Sequence, residues 1–497
     1  MNYSQYLNKV RGCWLGKNIG GTLGAPLESH RGVFDVEYYL HDTTKGVLPN
    51  DDLDLQLAWL NAVENYGNKV NSEILGNYWL LSVTPYWSEY GQGKANMKYG
   101  IHPPASGRYK NQFSESCGCF IRSEIWACLA PGRPQIAVKY AYEDACVDHS
   151  DEGIYAELFC AAIQSAAFAE SDRDTLIDIG LSYIPEDCAL AGAVKLVRDC
   201  YYSGDDWKTA RKKLMCAYPD TFGLAVGPVE EGIPEARLGY DAPCNVGIVI
   251  LGWMYGENDF SKSICIAAAC GEDADCTAGT LAAILGIILE PEGIDEKWKT
   301  PIGDEIKTCS LDVTGSIYIP PNVTNLTRRV AKAMIGFMGQ YVNIDDNGVI
   351  IINTAQKDDL YNQNIRLSNI EYANAFPYMY GKKLIAKENG LFFDVFMSCD
   401  SDITIKEGEQ KDIELLFMNN FNYPHWVEIN WNLPEEWEGT RSQSVNVLQY
   451  NSGSKHTWAK SSFIPRGLKQ SKYEFTAEIK ITGFISKMHV PLTFVVE

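Results

Sequence analysis

The chain has 497 residues, 46% hydrophobic and 22% charged, ordinary values for a globular protein long enough to bury a sizeable core. Length suggests about three domains, and 43 basic against 64 acidic residues give a formal net charge of −21. That excess repels phosphate backbones and anionic lipid heads, which makes nucleic acid and membrane surfaces poor partners and cations good ones.

The charge is unevenly spread. From Lys383 to the end there are 12 basic and 15 acidic residues, which leaves −18 on the first 382. The 15 cysteines have no paired spacing; Cys117 and Cys119 form only a C-x-C. This fits reduced, mostly buried thiols rather than a disulfide framework or a zinc ribbon. With no basic-then-apolar N-terminal pattern, a cytoplasmic location is expected. The longest apolar stretch, Gly279 to Leu289, is too short to span a bilayer.

Residues 1–340 read as helices. A glycine-rich first helix runs through Arg11-Gly12-Cys13-Trp14-Leu15-Gly16-Lys17-Asn18-Ile19-Gly20-Gly21-Thr22-Leu23-Gly24-Ala25-Pro26-Leu27-Glu28. Leu53, Leu57, Leu60 and Val63 recur at helical spacing behind Asn50-Asp51-Asp52, which supplies a cap. Gly153 to Phe168 is apolar almost all round, as expected of a central helix. Ser261–Ala269 and Ala278–Leu289 are small-residue helices flanking a turn, Gly271-Glu272-Asp273-Ala274-Asp275, and Thr327–Met338 is a last amphipathic helix. Residues 341–382 read as a connection containing one strand, Val349 to Asn353. Residues 383–497 alternate in short β-branched runs, the pattern of an immunoglobulin-like all-β sandwich. Trp426, Trp431 and Trp437 read as sandwich core and rim rather than as a platform for sugars.

Two carboxylate clusters stand out: Asn50-Asp51-Asp52, and Asp273 with Asp275. Adjacent carboxylates repel unless they share a proton or a cation, and such oxygens suit hard divalent ions. Helix caps and a polar loop explain the same residues equally simply.

The order of these motifs resembles the ADP-ribosylglycohydrolase family, of the dinitrogenase-reductase-activating glycohydrolase type. That family shows G-x-x-x-G-D-x-L-G-x-P-x-E, then T-D-D, then D-x-D-[ST], and the resemblance covers about residues 8–300. It implies a mainly α, orthogonal helical bundle with a binuclear Mg²⁺ or Mn²⁺ site that grips a ribose diol beside the scissile bond. By position it assigns Asp51, Asp52, Asp273 and Asp275 as ligands and places Glu28 beside them. Asn50 stands for the family Thr, Gly21 for an Asp, and Cys276 for the last hydroxyl residue. A divergent branch with D-x-D-C and a helix like Gly153-Ile154-Tyr155-Ala156-Glu157 is similar.

On this basis Asn50, Asp51, Asp52, Asp273, Asp275 and Cys276 are the expected metal ligands, for one or two ions, Mg²⁺ or Mn²⁺ with Ca²⁺ as a further option. Glu28, Glu157 and Asp52 are the expected catalytic residues. Arg122, His149, Tyr240 and Asn245 are expected to line the substrate. The expected activity is hydrolysis of an N- or O-glycosidic bond at a ribose-like sugar, on an ADP-ribosylated substrate. A hydrolase of neutral furanosides or nucleosides, a metal-free two-carboxylate glycosidase and a non-catalytic binding protein are the alternatives. Oligomeric state stays open.

Overall fold

The computed structural model describes residues 1–219, 230, 232–234, 240–312, 314–315, 317–362, 383–421, 423–448 and 456–497. The chain forms two compact units. The first comprises Met1–Glu89, Gln112–Ala145 and His149–Asn362; the second comprises Tyr90–Asn111, Cys146–Asp148 and Gln363–Glu497.

The first unit is helical, and the elements used below are α1 (Tyr3–Gly24), α2 (Asp51–Tyr66), α3 (Glu152–Ala166), α4 (Ala242–Gly256) and α5 (Ala274–Leu289). Its centre is the pairing of α1 with α5. Gly12, Gly16, Gly20 and Gly24 form one stripe on α1. A Cβ at any of them would lie 2.0–2.2 Å from the carbonyl oxygen of Gly286, Ala282, Ala278 and Ala274, respectively. As one helix ascends four residues the other descends four, so the helices are antiparallel with backbones in direct contact. Only glycine permits that approach. The register sets the C-terminal end of α1 beside the N-terminal end of α5, and this places Glu28 near Asp275.

Pro26 ends the first helix in a short 3₁₀ turn, Ala25–Leu27. The chain then forms a two-residue strand, β1 (His30–Arg31), paired antiparallel with β2 (Gly271–Glu272) just before α5. Helix α5 starts at Ala274, four residues earlier than the apolar run suggests, so Asp275 and Cys276 stand in its first turn rather than in a loop. An acid there is favoured by the positive end of the helix dipole. The all-apolar helix is observed as α3, and the amphipathic one spans Val323–Met338.

The sequence boundary at 340 needs correction. Residues up to Asn362 belong to the helical unit, including the small hairpin β3 (Val342–Ile344) with β4 (Ile350–Ile352). The remainder of the expected 341–382 connection, residues 363–382, lies outside the described residues. Within the expected helical domain, residues 90–111 belong instead to the second unit. Ile101, Ala105 and Tyr109 supply apolar side chains to its core, and Arg108 Nη2 pairs with Asp402 Oδ1 at 2.6 Å.

The second unit is a sandwich of two five-stranded sheets. Its strands are β5 (Leu384–Asn389), β6 (Phe393–Ser398), β7 (Thr404–Ile405), β8 (Lys411–Asn419), β9 (His425–Trp431), β10 (Glu438–Gly439), β11 (Ser442–Val447), β12 (His456–Ile464), β13 (Lys472–Ile481) and β14 (Lys487–Val496). The orders are β10-β12-β8-β6-β5 and β11-β9-β13-β14-β7. Every second residue points inward: Phe393, Val395 and Met397; Ile413, Leu415 and Phe417; Val427, Ile429 and Trp431. Trp431 and Trp437 are core residues, whereas Trp426 is 59% exposed. Among the described residues, no helix is long and apolar enough to cross a membrane.

Candidate metal centre

Three loops meet where α1 ends and α2 and α5 begin. The β1–β2 pair fixes the first two: Arg31 Nε and Nη2 donate to Glu272 Oε1 and Oε2 at 2.7 and 2.9 Å, with both side chains buried. That grip holds strained backbone. Gly271 and Glu272 have φ of 70° and 61°, and Ser29, next to Glu28, has φ 61°. A left-handed conformation costs a non-glycine residue about 1–2 kcal/mol, so the bidentate pair holds Asp273 in a place the chain would not otherwise choose. Asn245, at the start of α4, adds to this: its Oδ1 accepts from Asp273 N at 3.4 Å while its Nδ2 donates to Asp241 O.

The third loop carries Cys117. Its backbone N donates to Tyr240 O at 2.7 Å, and Ala242 N donates to Glu115 O at 3.0 Å. Pinned this way, Cys117 Sγ donates to Asp273 Oδ2 at 2.7 Å.

The outcome is three overlapping groups of potential ligands, each with its donor atoms within 4.8 Å of one another: Glu28, Asp273 and Asp275; Asp52, Asp275 and Cys276; Cys117, Asp273 and Cys276. Glu28 is exposed and marks the solvent side. Asp273, Asp275 and Cys276 are 4–6% exposed, and Asp52 is fully buried. Asp273 Oδ1 and Asp275 Oδ1 are buried without a hydrogen-bond partner. Buried polar atoms are rarely left so, and unpaired carboxylate oxygens crowded together are what a cation satisfies.

The crowding raises the carboxyl pKa values. Although Glu28 as a residue is exposed, desolvation of its carboxyl, then Asp273 and Asp52, push it up to about 7. Burial and Asp273 hold Asp275 well above the carboxylate range. Asp52 is raised by burial against the pull of Lys17. The Lys17 ammonium is buried 3.2 Å from Asp52 Oδ2 and 3.3 Å from Glu124 Oε1, and these acids hold its pKa up.

The remaining expected residues fall in different places. Asn50 is a cap, its Oδ1 accepting from Asp52 N at 2.7 Å. Its Nδ2 lies 2.2 Å from where a Cβ on Gly21 would stand. The two departures from the family motif are therefore one: the larger Asn50 occupies the space of a side chain at position 21. Asp51, in the first turn of α2, lies near Cys309 and in none of the three ligand groups. Tyr240 is beside the cluster, its hydroxyl bonded to Ser29 Oγ, and its pKa is raised by burial and by Asp273 and Glu28. Arg122 and Glu157 are instead buried together. Arg122 Nε is 2.9 Å from Asp144 Oδ1 and 3.9 Å from Glu157 Oε2, and the guanidinium stacks on Trp79. With no exposed surface, neither touches a ligand in this conformation. His149 is also fully buried, its Nε2 2.8 Å from Ser116 Oγ, where it braces the Cys117 loop. Lys17, Glu124 and Cys117 were not among the expected residues. A lysine within an apolar, glycine-rich helix was the visible signal for the first; the C-x-C was the signal for the last.

The helix ends of the bundle thus gather buried acids and thiols into candidate cation-binding groups. The family model for ADP-ribosylglycohydrolase matches residues 2–327, and the chain belongs to that family of glycohydrolases. No curated protein matches it. Among solved structures, the chain has 9% identity and a TM-score of 0.13 to a Pseudomonas fluorescens alkylpurine DNA glycosylase, AlkC, bound to DNA containing an abasic site analog. That comparison spans 90% of this chain and 97% of that one, and a likeness at this score carries no argument.

Proposed function

We propose that the chain is a divalent-metal-dependent glycohydrolase that cleaves an N- or O-glycosidic bond at a ribose-like sugar. The observation that carries this is the pair of buried, unpartnered oxygens on Asp273 and Asp275 in a member of this family. Glu28, Asp273 and Asp275 form an all-oxygen group that fits Mg²⁺ or Mn²⁺. When bound, such an ion orients sugar hydroxyls and polarises a water. Asn245 and the Arg31–Glu272 pair hold Asp273 in place. Tyr240 and Ser29 close the edge of the site. Of the two expected acid/base residues, Glu28 lies at the solvent side, which supports an acid/base role for it when it is not bound to the ion, while Glu157 faces Arg122 in the interior.

One observation favours a neutral glycoside or nucleoside over an ADP-ribosyl group. Lys17, Arg31 and Arg122, cations on the elements that build the site, are each committed to buried carboxylates, so none is offered to a diphosphate. A panel of ADP-ribosyl-arginine, nucleosides and aryl furanosides, assayed with Mn²⁺, Mg²⁺ and chelator, tests both readings. Asp273→Asn is expected to abolish turnover with the fold intact by circular dichroism. Turnover that survives this substitution or exhaustive chelation would end the metal-dependent reading, and turnover of ADP-ribosyl-arginine alone would end the preference for neutral substrates.

A further inference from the structure

Cys117 and Cys276 reach the centre from different elements. Cys117 sits on the loop pinned to Tyr240, and Cys276 sits in the first turn of α5. Their sulfurs and an oxygen of Asp273 all lie within 4.8 Å of one another, and both thiols are buried. This is a different donor set from the all-oxygen group of Glu28, Asp273 and Asp275, although Asp273 belongs to both. The other Asp273 oxygen, Oδ1, is 4% exposed at the residue level and unpartnered, so the site is short of one positive group.

The chemistry of the set is selective. Thiolates are soft donors that Mg²⁺ and Ca²⁺ bind poorly, whereas Zn²⁺ takes mixed sulfur and oxygen ligands in a tetrahedral arrangement. With Zn–S near about 2.3 Å and Zn–O near about 2.1 Å, tetrahedral donors stand roughly 3.3–3.8 Å apart. The observed donors lie within 4.8 Å of one another, and the Cys117 Sγ–Asp273 Oδ2 contact of 2.7 Å must widen to that spacing once an ion replaces the thiol proton between them. Binding releases the two thiol protons to solvent as two Zn–S bonds form, with no change of oxidation state. Asp52, within reach of Cys276, is available as a further oxygen donor.

We propose that Cys117, Cys276 and Asp273 form a thiolate site for a thiophilic divalent ion of the zinc class, adjoining the oxygen-only group of the proposed active centre. The inference rests on reading the cluster as a cation site and is independent of which glycoside is cleaved.

The test uses the metal-free full chain titrated with Co²⁺ as a spectroscopic stand-in for Zn²⁺. The expected result is a near-ultraviolet thiolate-to-cobalt charge-transfer band that Zn²⁺ abolishes and Mg²⁺ leaves unchanged. Cys117→Ser and Cys276→Ser should each lose the band, and Zn²⁺ affinity should fall by at least the roughly tenfold that even an outer partner commands. Cys276→Thr restores the hydroxyl of the family motif and keeps the test valid where serine variants fold poorly; it should lose the band yet still bind Mn²⁺. Absence of the band in the wild type, or its persistence in Cys276→Thr, overturns the thiolate site. Mn²⁺-dependent turnover without a cobalt–thiolate band leaves the proposed function standing and sinks this inference; a band without turnover does the reverse.

Discussion

The Lys17 ammonium lies between Asp52 and Glu124 with almost no solvent contact, and Thr280 Oγ1 is 3.5 Å away. Removing one partner of a buried ion cluster strands the others, at about 3–5 kcal/mol. Lys17→Met is therefore expected to lose about that much in urea unfolding, with part recovered when Glu124→Gln is added. An unchanged midpoint would mean that the acids are already neutral. A second buried lysine gives a pH test. Lys94, on the Ser88–Lys98 helix, is 1% exposed, and burial and then Lys98 push it down to about 8. An unfolded lysine titrates near about 10.4, so between these values the unfolded chain binds more protons and stability rises with pH. Wild type should thus gain melting temperature relative to Lys94→Met as pH climbs from about 8 to 10.4; a constant gap across that window would refute it. Neither lysine's role was legible from its surroundings in sequence. Lys17 interrupts an apolar helix visibly, but its partners lie on helices distant in the chain.

At the level of elements, the glycine stripe of α1 is the least forgiving surface. Gly20→Ala would set a methyl 2.2 Å from Ala278 O, with backbone on both sides and nothing to yield. A loss of about 1–3 kcal/mol is expected in chemical denaturation. Gly336 provides the contrast: it lies exposed in the Val323–Met338 helix with nothing within 4 Å. Gly336→Ala should stabilise by about 0.5–1 kcal/mol, through helix propensity and the unfolded chain. If both substitutions shift stability alike, close backbone packing is not what the stripe provides. The glycine-rich helix and the small-residue helix were each readable in sequence. Their antiparallel register was not, because a four-residue repeat of glycine names no partner. The β strands were legible for the opposite reason, since alternation reports burial strand by strand.

Across the whole molecule, the two compact units interleave along the chain. The sandwich core includes Ile101, Ala105 and Tyr109, contributed from within the helical stretch of sequence. A chain cut after Asn362 is expected to expose these residues and to aggregate in size-exclusion chromatography, although the family match ends at residue 327. A monodisperse truncation would show that the 90–111 segment finds other cover. This interleaving was invisible in sequence: residues 90–111 lie inside the stretch read as helical, and only tertiary packing assigns them to the sandwich. The acidic centre was half visible. Asp52, Asp273 and Asp275 stood out as clustered carboxylates, whereas Cys117 and the burial of Arg122 and Glu157 depend on how distant loops meet.

The antiparallel seating of α1 against α5 also has a bearing on biosynthesis. The helix α1 leaves the ribosome well before its main partner at Ala274–Leu289, so its glycine face stays uncovered while everything between is made. At bacterial or eukaryotic elongation rates that interval is on the order of tens of seconds. Through it, α1 is a helix without its groove, and Glu28 cannot yet be a neighbour of Asp273 and Asp275.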